Sequence, residues 1–339
     1  MPAAVQADPP TITPPSELTV EASSAAGAIV DYRLPTASDD NGAPSVECDP
    51  APGSRFPVGL TTVRCSAVDQ VTGEGTVVSF VIRVTPRAQE HASSGGVEAK
   101  LFYVKPPRDN FLASFRNFRI KISRASVLLV DAPVPPADGF APAGYGDQPS
   151  LFVRDLDGDG EPEVLLDLYS GGAHCCFSSR IYRYDATQAR YRVSRHFWGD
   201  PAYRLRDINR DGKPEFVTSD DRFAYRFASF ASSGMPIQLW SYRAGKFTNV
   251  TRRFPKLVAR DSTRQWRSYL GNRKDGETRG FLAAWAADEY SLGRGRKVQR
   301  TLTSTRLIPR GDVAGYAPSD PRSFIRVLKH FLRSTGYIR

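Results

Sequence analysis

Asp155, Asp157 and Asp159 alternate along a short stretch that runs on through Gly160, Glu161 and Glu163. The same order returns 52 residues later as Asp207, Asn209, Asp211, Gly212, Lys213 and Glu215. Oxygen-bearing side chains at positions 1, 3 and 5 of such a loop turn toward one centre. Glycine at position 6 permits a sharp bend, and position 7, Glu161 or Lys213, offers its backbone carbonyl. An acid at position 9, Glu163 or Glu215, closes the shell. That is the chemistry of a hard cation seeking six to eight oxygens, so the spacing predicts two structural Ca2+ ions. Without a cation, so many neighbouring carboxylates would repel one another. An EF-hand is excluded, because position 12 is Leu166 in one copy and Thr218 in the other. The flanking Leu151-Phe152-Val153 and Val164-Leu165-Leu166 favour strands rather than helices.

A second cluster is Gly171-Gly172-Ala173-His174-Cys175-Cys176. Adjacent cysteines can close a vicinal disulfide, remain as buried thiols, or join His174 on a soft metal. The other histidines, His91, His196 and His330, are scattered. No G-x-S-x-G or H-E-x-x-H pattern occurs, so a secreted hydrolase using His174 or the loop carboxylates is the alternative to a non-catalytic protein. Cys48 and Cys65 flank a short loop where an oxidised staple is common, which would require an oxidising compartment.

The surrounding elements read as mainly β. Residues 10–85 alternate in short strands punctuated by turns, the pattern of a β-sandwich. Residues 86–98 are small and polar and read as a linker. From 99 to 255 strands continue, and each acidic string leads into an aromatic hairpin, Ile181-Tyr182-Arg183-Tyr184 in one copy and Leu239-Trp240-Ser241-Tyr242 in the other. A strand-built repeat of this length is the scale of a propeller blade. Residues 256–339 change to helical periodicity. Asp261 is read as a cap for a helix bearing Trp266, Tyr269 and Leu270. Phe281, Leu282, Trp285 and Tyr290 fall on a second, and Asp320-Pro321 opens a third with Phe324, Leu328, Phe331 and Leu332 on one face.

Charge is unevenly spread. Residues 1–98 hold 12 acidic and 5 basic side chains, whereas residues 252–339 hold 20 basic and 7 acidic, within a net charge of +10. The basic end could favour wall polyanions; no aromatic-interleaved pattern favours nucleic acid. No apolar run of 18 residues is present, so no transmembrane helix is expected. The first residues lack a basic and apolar leader, yet Val5-Gln6-Ala7 is like the small-residue end of one, which predicts an exported chain.

Phe56-Pro57-Val58-Gly59-Leu60-Thr61-Thr62-Val63-Arg64-Cys65-Ser66-Ala67-Val68-Asp69, with the Asp39-Asp40-Asn41-Gly42 turn and Cys48, resembles the hyalin-repeat (HYR) domain. The resemblance implies an immunoglobulin-like sandwich of extracellular, adhesive proteins. Val78 stands about where that family often carries a third cysteine, which implies that Cys48 pairs with Cys65. The acidic strings, D-x-[DN]-x-D-G-x-P-E between strands, resemble the FG-GAP/VCBS repeats of integrin-like β-propellers, which implies calcium in strand-to-strand loops. Two clear copies are fewer than a closed propeller needs. Asp167 to Cys176 and Asp220 to Tyr225 are similar to segments of uncharacterised secreted bacterial proteins of that type.

Together these readings predict an immunoglobulin-like β-sandwich (1–85), a linker (86–98), propeller-like or incomplete propeller repeats (99–255) and a small, basic α-helical region (256–339). The expected protein is secreted or displayed at the cell surface, binds calcium, and takes a protein or carbohydrate ligand. A wall-polyanion module is a further alternative.

Overall fold

The computed structural model describes residues 8–23, 26–40, 42–87, 89–104, 116–134, 141–143, 149–172, 175–273, 277–303, 308 and 315–338. The chain divides into two compact units, Met1–Gln89 with Phe102–Lys105, and Glu90–Leu101 with Pro106–Arg339.

The first unit is built from β1 (Thr11–Thr13), β2 (Leu18–Glu21), β3 (Ala28–Val30), β4 (Thr36–Ser38), β5 (Val46–Asp49), β6 (Ser54–Phe56), β7 (Gly59–Val68) and β8 (Gly75–Thr85). β2, β8, β7 and β5 form one sheet in that order, while β3 pairs β6 and β1 pairs β4. The period-2 pattern explains the layer: Val63, Cys65 and Ala67 of β7 are buried while Arg64 and Ser66 face out. Val63, Phe80, Ile82 and Val84 share a core with Val30 and Phe56. Cys48 and Cys65 sit directly opposite across β5 and β7 and are joined by a disulfide. This pairing is the one the resemblance implied.

The second unit opens with β9 (Glu90–Ser94), β10 (Val97–Val104), β11 (Arg116–Arg124) and β12 (Val127–Pro133), a sheet in the order β12-β11-β10-β9. Most of the stretch read as a linker, 86–98, is therefore a hairpin. Its small residues serve a tight turn, with Gly95 and Gly96 at φ of 54° and 78°, conformations that glycine adopts without steric cost.

Two antiparallel meanders follow. The first holds β13 (Ala141–Pro142), β14 (Leu151–Arg154), β15 (Glu163–Gly172), β16 (Cys175–Asp185) and β17 (Arg190–Gly199). The second holds β18 (Arg204–Arg206), β19 (Glu215–Ser219), β20 (Ile237–Arg243) and β21 (Lys246–Asn249). Each acidic string bridges two strands, β14 to β15 and β18 to β19, as the flanking apolar residues predict. Leu156, Leu165, Ile181, Trp198, Phe216 and Tyr242 form a core common to both meanders.

The helices are α1 (Pro255–Gly271), α2 (Arg279–Ser291), α3 (Gly295–Thr303) and α4 (Pro321–Ser334). Asp320 accepts a hydrogen bond from Ser323 N at 2.8 Å and caps α4. Asp261 does not cap α1. Pro255 begins that helix six residues earlier, and Asp261 lies buried within it. Proline is favoured in a first turn because its missing N–H has no partner there to lose. α3, short and amphipathic, escaped the periodicity reading. The boundary read at 255 and 256 falls where strands give way to helices, but the helical core reaches across it. Phe223 and Phe227, which precede the helices, share their core with Trp285, Phe324, Phe331 and Leu332. No helix of the described residues is long and apolar enough to cross a membrane.

Candidate metal centre

The two acidic loops use one backbone cradle. Asp155 accepts from Gly158 N (2.6 Å) and Gly160 N (2.9 Å), and Asp207 accepts from Asp211 N (3.0 Å) and Gly212 N (2.9 Å). Glu163 closes its loop by accepting from Leu156 N at 2.8 Å, and Glu215 does the same with Ile208 N at 3.2 Å. Positions 4 and 6 are left-handed in both: Gly158 at 73° and Gly160 at 87°, Arg210 at 62° and Gly212 at 81°.

Inside the cradles the loops differ. Oxygens of Asp155, Asp157 and Asp159 all lie within 4.8 Å of one another. Asp157 is buried; its Oδ2 accepts from Ala244 N at 3.0 Å, while its Oδ1 is buried without a hydrogen-bond partner. Glu163 is only 1% exposed, and its Oε1 is likewise unpartnered. Burial pushes the Glu163 carboxyl up to about 8, and repulsion from Asp157, Asp159 and Asp155 adds to it. In the second loop Asp207, Asn209 and Asp211 are exposed. The Asn209 amide donates to Asp211 Oδ2 at 2.9 Å, so these two side chains satisfy each other.

Arg183 on β16 was not foreseen. Its Nε donates to Asp157 Oδ2 at 3.0 Å and its Nη2 to Asp159 Oδ2 at 2.6 Å; Nε also stands 3.6 Å from Glu163 Oε1. The register Val164↔Tyr182 places Arg183 beside Glu163, information that only strand pairing supplies. A single guanidinium cannot neutralise Asp155, Asp157 and Asp159 together. The donor set is all hard oxygen with two orphaned buried atoms, which suits a divalent cation.

Glu161 and Lys213 occupy position 7 differently from each other. The Glu161 carboxylate is held by the Arg124 guanidinium through two 2.8 Å bonds, leaving only its backbone to serve as a ligand. Lys213 lays its side chain over Gly158, where an added Cβ would come within 2.6 Å of it, and its carbonyl accepts from Arg243 Nη2 at 3.3 Å. Arg243 also donates to Leu156 O at 3.2 Å, tying the two loops together. Glu161→Ala should lower the melting temperature only slightly, since a half-exposed pair is screened by solvent and contributes little. Calorimetry should find its calcium affinity within about twofold of the parent, because a carbonyl ligand survives the change. A larger loss would make the Glu161 carboxylate itself a ligand.

Another acidic group, Asp39, Asp40 and Asp69, gathers in the first unit. Asp69 lies far along the chain from the turn, which hides the grouping from a sequence reading. Cys176 is disulfide-bonded, and its N–H donates to Ser170 Oγ at 2.6 Å. His174 and the side chain of Cys175 lie outside the described residues.

Among the described residues a cavity of about 800 Å³ is lined by His196, Trp240, Asp220, Arg222, Arg252 and Tyr337, among others. His196 packs 4.0 Å from Trp198, 4.7 Å from Trp240 and 4.4 Å from Phe247, ring centre to ring centre. Burial lowers its imidazole to about 4, so it is neutral near pH 7. Asp220 is already held by Arg222 and by the Tyr337 hydroxyl at 2.9 Å.

The comparisons with known proteins identify one domain and two relatives of this chain. Residues 5–84 match the HYR domain. That span is the first unit's cystine-bridged sheet assembly, so its disulfide and layered strands belong to a known domain type. The chain is also 27% identical over 216 residues to a probable thylakoid lumen protein of Synechocystis sp., a match covering 61% of this chain and 60% of that protein. It is 25% identical over 207 residues to an uncharacterized protein of Sinorhizobium fredii, covering 59% of this chain and 31% of that protein. The matches thus span less than two thirds of either relative's length.

Proposed function

We propose that this chain is a non-catalytic, extracytoplasmic calcium-binding protein, in which an HYR domain precedes incomplete propeller repeats of the FG-GAP/VCBS kind. Its partner is a protein or carbohydrate ligand. The observation that carries the reading is the pair of buried, unpartnered oxygens, Asp157 Oδ1 and Glu163 Oε1, beside Asp155 and Asp159. Buried carboxyl oxygens without hydrogen bonds are costly even with Arg183 nearby, and a divalent ion removes that cost. Asp155, Asp157, Asp159, Glu163 and the Glu161 carbonyl would hold the ion. Bound calcium supplies charge neutralisation and crosslinks β14 to β15; no reaction is routed through it. Arg183 competes for the same carboxylates and has to share or yield them. The second loop, Asp207, Asn209, Asp211, Lys213 and Glu215, is a weaker site, with one fewer carboxylate than the first and with Arg243 already on its carbonyl.

Location follows from oxidised cysteines, which persist outside the reducing cytosol. A relative named for the thylakoid lumen fits that compartment. The cavity around Trp240 offers an aromatic surface and paired charges to a ligand.

The test is titration calorimetry with calcium on protein stripped by chelator, together with thermal melts. One tighter and one weaker site are expected, with a melting temperature that rises with calcium and collapses back on adding chelator. Asp157→Asn should abolish the tighter site. No heat of binding and superimposable melts would remove the proposal.

A further inference from the structure

Helix α1 carries Arg260, Arg264 and Arg267 at spacings of four and three residues, which places them along one face. Strand β18 contributes Arg204 and Arg206, two residues apart and so on the same side of the strand. These five side chains line one groove of about 780 Å³, and all five are exposed. Leu257 and Ile237 contribute apolar surface to it.

The charge of the groove is largely uncompensated. Its acid, Asp261, is fully occupied: Oδ1 accepts from Arg264 at 2.8 and 2.5 Å, and Oδ2 accepts from Ile237 N at 3.2 Å and Gln265 Nε2 at 3.3 Å. Among the described residues Arg204, Arg206, Arg260 and Arg267 have no acidic partner. Like charges converging on one concavity repel, and a multivalent anion reverses the sign of that interaction. Guanidinium groups suit it, because each offers a planar fork to two oxygens of a sulfate, phosphate or carboxylate. Arg260 and Arg267 stand about 10 Å apart along the helix axis, so the ligand must carry several anionic groups over at least that distance.

We propose that the groove between α1 and β18 binds an anionic polysaccharide. No aromatic side chain lines it, so it provides no stacking platform for bases and does not suit single-stranded nucleic acid. The groove shares no side chain with the acidic loops, although Arg206 directly precedes Asp207 and pairs with Glu215 across β18 and β19.

The experiment measures binding of the full chain to a size-defined heparin oligosaccharide, with single-stranded DNA of matched charge as the competitor class. Both calcium-loaded and chelator-treated protein should bind heparin, so a failure of the calcium reading stays distinguishable from a failure of this one. Affinity should fall about a hundredfold between about 50 and about 300 mM salt if four ion contacts form. The double variant Arg260→Glu/Arg267→Glu should lose at least about tenfold in affinity. The control Arg322→Glu/Arg326→Glu changes net charge equally on exposed positions of α4 and should stay within about twofold. Circular dichroism of both variants checks folding, and Arg204→Gln/Arg206→Gln, outside the helix, provides a second perturbation of the groove. An equal loss in the control would reduce the effect to net charge and overturn the proposal. So would tighter binding of DNA than of heparin, or no binding at low salt.

Discussion

Asp288→Asn should flatten the pH dependence of stability, and above neutrality the variant should be more stable than the parent. Asp288 lies on α2, 1% exposed, with both carboxyl oxygens lacking a hydrogen-bond partner. Burial pushes its carboxyl up to about 10, and the Asp261 carboxylate beside it adds to the rise, as does neighbouring Glu289; Arg264 opposes it. The folded chain therefore holds a proton on Asp288 that the unfolded chain, with an ordinary carboxyl near 3.9, releases. More protons are bound in the native state throughout that window, so stability falls as pH rises from about 4 toward 10. The slope for one such group is about 1.4 kcal/mol per pH unit, or up to about 4 kcal/mol between pH 5 and 8. Asparagine keeps the shape without the ionisation. Urea unfolding at pH 5, 6.5 and 8 reads the difference. Parallel curves for variant and parent would mean that Asp288 is ionised in the fold.

The second large effect is at Phe216. This ring is fully buried and stacks 5.1 Å from Trp198 at 16°, with Tyr203 at 4.8 Å and Phe247 at 5.3 Å. Trp198 comes from the first acidic meander and Phe216 from the second, so this contact joins the two repeats. Phe216→Ala should cost about 3–5 kcal/mol, the transfer loss plus the cavity left among rigid rings. Phe216→Leu should recover a good part of it. Chemical denaturation followed by tryptophan fluorescence measures both. A loss below about 1 kcal/mol would mean that the meanders are held together elsewhere, for example by Arg243 and Ala244 on the first loop.

The contrast between the two acidic loops marks where the sequence reading stops. Asp155 and Asp207, or Glu163 and Glu215, play corresponding roles as acceptors of loop backbone N–H groups, and the spacing alone identified them. The difference between the copies did not follow from spacing. Asp157 is buried with a free oxygen, whereas Asn209 and Asp211 are exposed and bonded to each other. Arg183 and Arg124, which meet Asp157 and Glu161, come from strands far away in the chain. Their pairing depends on register, and no local pattern specifies it.

The linker reading and the Asp261 cap failed for a related reason. Ser93-Ser94-Gly95-Gly96 has the composition of a spacer, yet the β9–β10 hairpin needs glycines at positive φ, and the same residues satisfy both descriptions. Asp261 has the chemistry of a cap, but the helix already starts at Pro255, and the Ile237 N–H from β20, together with Gln265 one turn on in α1, holds the carboxylate inside.

Local features determined from the residues alone were the β-rich character, the HYR segment, the repeat of acidic loops between strands and the helix opened by Asp320. Each rests on periodicity, turn chemistry or a contiguous motif, all of which act over a few residues. Tertiary structure alone decided which acids are buried, which arginines reach them, and that Arg204 and Arg206 face Arg260 and Arg267 across one groove. Burial and charge proximity are properties of surfaces brought together by long-range packing, so they enter only once the strands and helices have found their partners.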